Sequence, residues 1–233
     1  MYRHELPRIY EMYDLTSRLA TSDACFQDLD RSLAEKPQKL RQYRLLERDL
    51  SSLNLEAWSF LKSEVTPLLA VRDKRRGWEP LFNKLNQAKA YNHLKACGYN
   101  NIRFVPESSN ETPDLEAYKS DTRVLCEVKT INVSDIEIKR RAKRSIFNVN
   151  TQLDIGFFDK LASDLGKAWS QMTTYDADPA VKKLAYVIVN FDDSLHEYSD
   201  CYREQIEKSL AINERSDLEI FLDWKPPFDT AKS

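Results

Sequence analysis

The chain is poor in glycine, histidine and long apolar runs. Of its 233 residues, 4 are glycine and 3 are histidine. His4, His93 and His196 are scattered, and Cys25, Cys97, Cys126 and Cys201 form no CxxC pair. A zinc site is therefore not expected, and the cysteines read as reduced, mostly buried thiols. The longest apolar run, Leu184 to Val189, is far short of the ~20 residues that span a bilayer, so no membrane partner is expected. No apolar run follows Met1-Tyr2-Arg3-His4-Glu5, which predicts no signal peptide and a cytoplasmic location. With 9 prolines and 42% hydrophobic residues, collagen-like, low-complexity and disordered classes are excluded, because this apolar content can build a core. The length predicts one large domain, or a domain with an appendage.

A formal net charge of −2 hides local unevenness. Arg72, Lys74, Arg75 and Arg76 surround a single acid, Asp73, and Lys139, Arg140, Arg141, Lys143 and Arg144 follow Glu137 closely. Each patch is either a solvated face or a polyanion contact.

Residues 1–76 read as a helical region without glycine. Leu40, Tyr43, Leu46 and Leu50 recur at helical spacing, as do Trp58, Leu61 and Val65. Thr21-Ser22-Asp23 and Ser51-Ser52 read as N-cap clusters. Gly77 marks a boundary, and 77–233 reads as a second region. There a helical stripe runs from Leu81 through Leu85, Ala88, Tyr91 and Leu94 and stops at Gly98. Strand-like runs follow at Asn101–Pro106, Asp114–Lys119 and Arg123–Thr130, with Ser120-Asp121 as a turn. A second stripe holds Phe158, Leu161, Leu165, Ala168, Trp169 and Met172. Lys183–Phe191 reads as a buried strand, Leu195–Ile212 as a helix and Leu218–Leu222 as a last strand. The class is α/β, a sheet flanked by helices, preceded by an all-helical N-terminal region.

The chemistry concentrates in Pro113-Asp114 and Glu127-Val128-Lys129. Side chains alternate along a strand, so Val124, Cys126, Val128 and Thr130 share one face while Glu127 and Lys129 share the other. Charges on a buried strand require a partner or a metal. A hairpin places Asp114 beside Glu127, giving two carboxylates and one ammonium at a single point. Such a set suits phosphodiester hydrolysis: the carboxylates hold a hard cation such as Mg²⁺, and the lysine orients water and offsets developing charge. The alternative is a cross-strand salt bridge on an exposed sheet face. Two other acid-x-Lys triplets exist, Glu137-Ile-Lys139 and Asp223-Trp-Lys225. Neither follows a Pro-Asp at hairpin distance.

The segment resembles the PD-(D/E)xK nuclease superfamily, with Pro113-Asp114 as its first motif and Glu127-Val128-Lys129 as its second. The resemblance covers roughly 78–191 and implies a restriction-endonuclease-like αβββαβ core with a mixed sheet. It implies a Mg²⁺-dependent nuclease, with Mn²⁺ as a substitute, acting on DNA. Asp114, Glu127 and the Val128 carbonyl would hold the metal, and Lys129 would be the catalytic lysine. Gln171-Met-Thr-Thr-Tyr175 is similar to the QxxxY motif of the RecB-like branch, making Gln171 a site residue and Tyr175 a DNA contact. The family often places an acid on the first helix. Here Glu79 stands at its start and Gln87 at its middle, so Glu79 is the candidate third ligand. Lys139, Arg140, Arg141, Lys143 and Arg144 would hold phosphates, with Phe147 free to stack on a base. The 1–76 region would read substrate, dimerise or bind a partner protein. Loss of catalysis with retained nucleic-acid binding, or a non-enzymatic interaction protein, are the competing functional readings.

Overall fold

A computed structural model describes residues 2–18, 24–108, 111–132, 151–190, 198–212 and 215–225. The basic stretch 139–144, Phe147 and the cap candidates 21–23 lie outside the described residues. The chain packs as two compact units, Met1–Phe104 and Val105–Ser233.

The first unit contains α1 (Pro7–Thr16), α2 (Leu29–Glu35), α3 (Pro37–Ser51), α4 (Leu55–Val65), a 3₁₀ turn (Thr66–Ala70), α5 (Glu79–Leu85), α6 (Gln87–Ala96) and β1 (Asn100–Phe104). No side chain caps α1 locally; the buried Glu47 of α3 does so instead. Its carboxylate accepts from the N–H groups of Arg8 (3.2 Å) and Ile9 (3.0 Å). Arg8 in turn donates to the carbonyls of Leu50 and Leu53 near the end of α3. Orphan donors of one helix and orphan acceptors of another are thus satisfied by one acid and one base.

Two expectations change here. The cap of α4 is Asn54, whose side chain accepts from Ala57 N–H at 2.7 Å, while Ser51 closes α3. The stripe expected after Gly77 divides at Asn86 into α5 and α6, so Gln87 begins a helix rather than sitting mid-helix. The sequence boundary at 76/77 falls inside the first unit. Residues beyond it pack on the N-terminal helices: the Phe104 ring stacks on Phe60 and Tyr91 at 5.8 and 5.9 Å. Lys84 pairs with Glu64, and Lys89 with Asp49. Gly98, with φ +82°, ends the helical segment as its position predicts.

The second unit contains β2 (Leu115–Lys119), β3 (Thr122–Asn132), α7 (Ile155–Tyr175), β4 (Lys182–Asn190), α8 (Ser199–Ile212) and β5 (Glu219–Trp224). Its strands lie in the order β2-β3-β4-β5. The β2–β3 pair is antiparallel, whereas β3–β4 and β4–β5 are parallel. The sheet is therefore mixed, and the chain is α/β as expected. Ser120 takes φ +52° in the two-residue turn between Lys119 and Thr122. Positive φ there is what a tight hairpin requires.

Leu161, Leu165, Ala168 and Met172 of α7, with Tyr202 and Ile206 of α8, share one core with Leu125, Ile131, Ala185, Val187 and Val189 of the sheet. Asp154 caps α7, accepting from Gly156 N–H at 2.7 Å. On the opposite sheet face Val124, Cys126, Leu184, Tyr186 and Ile188 are also buried. β4 is covered on both faces, which explains its near-continuous apolar run. Cys25 and Cys126 are buried thiols, but Cys97 and Cys201 are exposed, and none of the four forms a disulfide. No described helix is long and apolar enough to cross a membrane.

Candidate active site

The register Leu115↔Cys126, extended by one residue, sets Asp114 opposite Glu127. The two are laced through the main chain. Asp114 N–H donates to Glu127 Oε2 at 3.2 Å, and Val128 N–H donates to Asp114 Oδ2 at 2.8 Å. Lys129 lies two residues beyond Glu127 on the same face, and its Nζ donates to Glu127 Oε1 at 2.7 Å.

That face is the one α7 covers. Glu127 is 4% exposed, so an exposed-face salt bridge does not describe it. In the last turns of α7, Gln171 accepts from Lys129 Nζ at 2.8 Å through its Oε1. Its amide nitrogen lies 3.5 Å from the Thr112 carbonyl, just before Pro113. Asp114, Glu127, Lys129 and Gln171 therefore form one hydrogen-bonded group joining the start of β2, the middle of β3 and the end of α7.

Burial pushes the Glu127 carboxyl up to about 8, and the neighbouring Asp114 charge adds to the shift, while Lys129 opposes it. An acid held so far above its ordinary range marks a candidate functional centre, because burial and a like charge act on it together.

No family model, curated protein or solved structure matches the chain.

Val128 stands between Glu127 and Lys129, with its N–H committed to Asp114. Glu79 belongs to the first unit, where it opens α5 and accepts from Arg76 at 2.8 Å. Tyr175, four residues past Gln171, is 36% exposed, and the Arg123 guanidinium sits over its ring at 5.8 Å. Lys139, Arg140, Arg141, Lys143 and Arg144 lie outside the described residues.

Arg123 belongs to no motif in the sequence, yet it bridges two acids. It donates to Glu116 at 3.1 Å and to Asp176 just after α7. Glu116 is 1% exposed and also accepts from the Tyr118 hydroxyl at 2.7 Å. Arg123 thus ties the β2–β3 hairpin to the end of the helix that carries Gln171. The available signal was strand parity: Asp114, Glu116 and Tyr118 alternate on β2, and Arg123, Glu127 and Lys129 share parity on β3.

Proposed function

We propose that the protein is a metal-dependent nuclease that hydrolyses DNA phosphodiester bonds, with a restriction-endonuclease-like core. The convergence of Asp114, Glu127 and Lys129, with Gln171 bonded to the lysine, carries this reading. The order of helix, three strands, helix and strand along the chain supports it.

The residues fit a hard divalent cation. Two adjacent carboxylates, with the Val128 carbonyl between Glu127 and Lys129 in sequence, are the oxygen donors that Mg²⁺ takes. Burial, with the Asp114 charge adding to it, raises Glu127 to about 8, and a cation held between the two acids would relieve that site. When bound, Mg²⁺ polarises a phosphate oxygen and makes a bound water more acidic.

Lys129 places an ammonium on the Glu127 carboxyl. There it orients a water against the scissile phosphate and offsets charge that builds on the phosphate oxygens. Gln171 keeps that ammonium from swinging away, since its Oε1 is the second acceptor on Nζ. The packing of α7 over the face limits water around the group, which strengthens each of these interactions. Lys139 to Arg144 follow β3 in sequence and would supply phosphate contacts, with salt-sensitive affinity. The N-terminal helical region would then read the substrate, dimerise or bind a protein partner.

The test is a cleavage panel of linear, nicked and branched DNA with Mg²⁺ or Mn²⁺. The proposal expects divalent-dependent cleavage that is lost in D114A and K129A. Salt-sensitive DNA binding without turnover would instead support a non-catalytic binding module.

A further inference from the structure

The two acids that Arg123 bridges differ in burial. On one side its Nε donates to Glu116 at 3.1 Å, and Glu116 is 1% exposed. On the other side a terminal guanidinium nitrogen donates to Asp176, whose side chain is 24% exposed. The register sets Arg123 opposite Tyr118 near the turn of the β2–β3 hairpin, and the Tyr118 hydroxyl shares Glu116 at 2.7 Å. The Glu116 contact is thus internal to the hairpin, whereas the Asp176 contact leaves it for α7.

Asp176 stands directly after the last residue of α7. Its N–H donates to the Met172 carbonyl at 3.0 Å, closing the final turn, and its Oδ1 accepts from Asp178 N–H at 2.9 Å. The other carboxylate oxygen takes the guanidinium. One residue earlier, the Tyr175 ring lies under the same guanidinium at 5.8 Å. Arg123 therefore grips the end of α7 at two successive residues.

Gln171 lies one turn before Tyr175 and reaches Lys129 Nζ at 2.8 Å. Helix ends fray, because their last carbonyls have no partner within the helix. Met172 is the last buried residue of α7, so apolar packing alone does not hold the turn that follows it. The aim of Gln171 depends on that turn staying wound.

We propose that Arg123, acting through Asp176, is a positioning residue for the candidate active site: it keeps the last turn of α7 wound and so keeps Gln171 on the Lys129 ammonium. The expected effect on rate rests on the nuclease reading. The two contacts of the arginine then separate in their consequences. Losing the Glu116 contact strands a buried acid and weakens the fold. Losing the Asp176 contact removes a partly exposed ion pair, which adds little to stability, and acts on the site.

D176N is the informative variant, since it keeps an oxygen for Asp178 N–H and removes the charge that faces Arg123. The full chain is compared with D176N, D176A, D176E, Q171A and the double variant Q171A/D176N on one saturating linear duplex with Mg²⁺. In D176N and D176A kcat is expected to fall about three- to tenfold, with the melting temperature within about 3 °C of the wild type. D176E, whose carboxylate still reaches the guanidinium, is expected to keep at least about half of the wild-type rate. In the Q171A background D176N is expected to cost less than about twofold, because the contact it serves is already gone. Hydrogen exchange of the metal-free, DNA-free chain is read in parallel: amides 171–176 exchange about three- to tenfold faster in D176N, and amides 158–166 are unchanged. A wild-type rate in D176N, an undiminished loss in the Q171A background, a loss that D176E does not rescue, or unchanged exchange would overturn the proposal. A wild-type chain that cuts no duplex with Mg²⁺ or Mn²⁺ would overturn the nuclease reading instead, and the exchange comparison then decides by itself whether Asp176 holds the turn.

Discussion

Asp114 and Glu127 hold each other in place through reciprocal backbone bonds: Asp114 N–H donates to Glu127, and Val128 N–H donates to Asp114. Neither carboxylate can leave without disturbing the other's strand. Two carboxyl groups are thereby kept adjacent in a buried site, and in the proposed nuclease their role is to hold a cation.

The pH dependence of stability follows from Glu127. Its folded value of about 8 lies above the ordinary 4.5, so between these values the folded chain holds a proton that the unfolded chain releases. That contribution to stability is complete below about 4.5 and is lost as pH rises through about 8. Urea midpoints measured with a chelator are expected to fall from pH 5 to pH 9, and E127Q is expected to flatten the curve. A midpoint that rises across this window would contradict the assignment.

Gln171 should matter for rate more than for folding. Q171A removes one charge-assisted hydrogen bond from Lys129, worth about 1.5–3 kcal/mol, which corresponds to roughly a 10- to 100-fold loss in turnover. Cleavage kinetics on one DNA substrate check the rate, and thermal melting checks that the fold is retained. Q171E, which keeps an acceptor, is expected to restore part of the rate.

Arg123 should matter for folding. R123M leaves Glu116 buried without its cation, a defect that costs about 3–5 kcal/mol. Adding E116Q removes the stranded charge and is expected to recover much of the loss. Denaturant unfolding of the single and double variants measures the coupling, and simple additivity would show that the pair is not coupled.

In the first unit, E47A strips the cap from the start of α1 and leaves the Arg8 and Ile9 N–H groups unpaired. The loss is expected to be about 2–3 kcal/mol. Comparable destabilisation by E47Q would show that charge, as well as hydrogen bonding, is needed there.

Much of this was legible in the chain itself. The period-two alternation around Glu127 and Lys129 fixed their shared face, and Pro113-Asp114 at hairpin distance placed the second acid beside them. The stripe from Leu161 to Met172 located the covering helix, and with it Gln171. Other features depended on tertiary packing, which periodicity does not encode. The cap on α1 comes from Glu47, nearly forty residues away, and the break at Asn86 interrupts a stripe whose apolar spacing is continuous. The packing of Phe104 on Phe60 and Tyr91 is of the same kind. Arg123 was obscured because a lone arginine in a strand looks solvated until its partner, Glu116, proves to be buried.

The most direct test is cleavage of a defined linear DNA duplex by purified protein with and without Mg²⁺, run beside D114A and K129A. The account predicts Mg²⁺-dependent hydrolysis that falls at least about 100-fold in each variant. Absence of cleavage by the wild-type chain, or cleavage that persists at the wild-type rate in both variants, would contradict it.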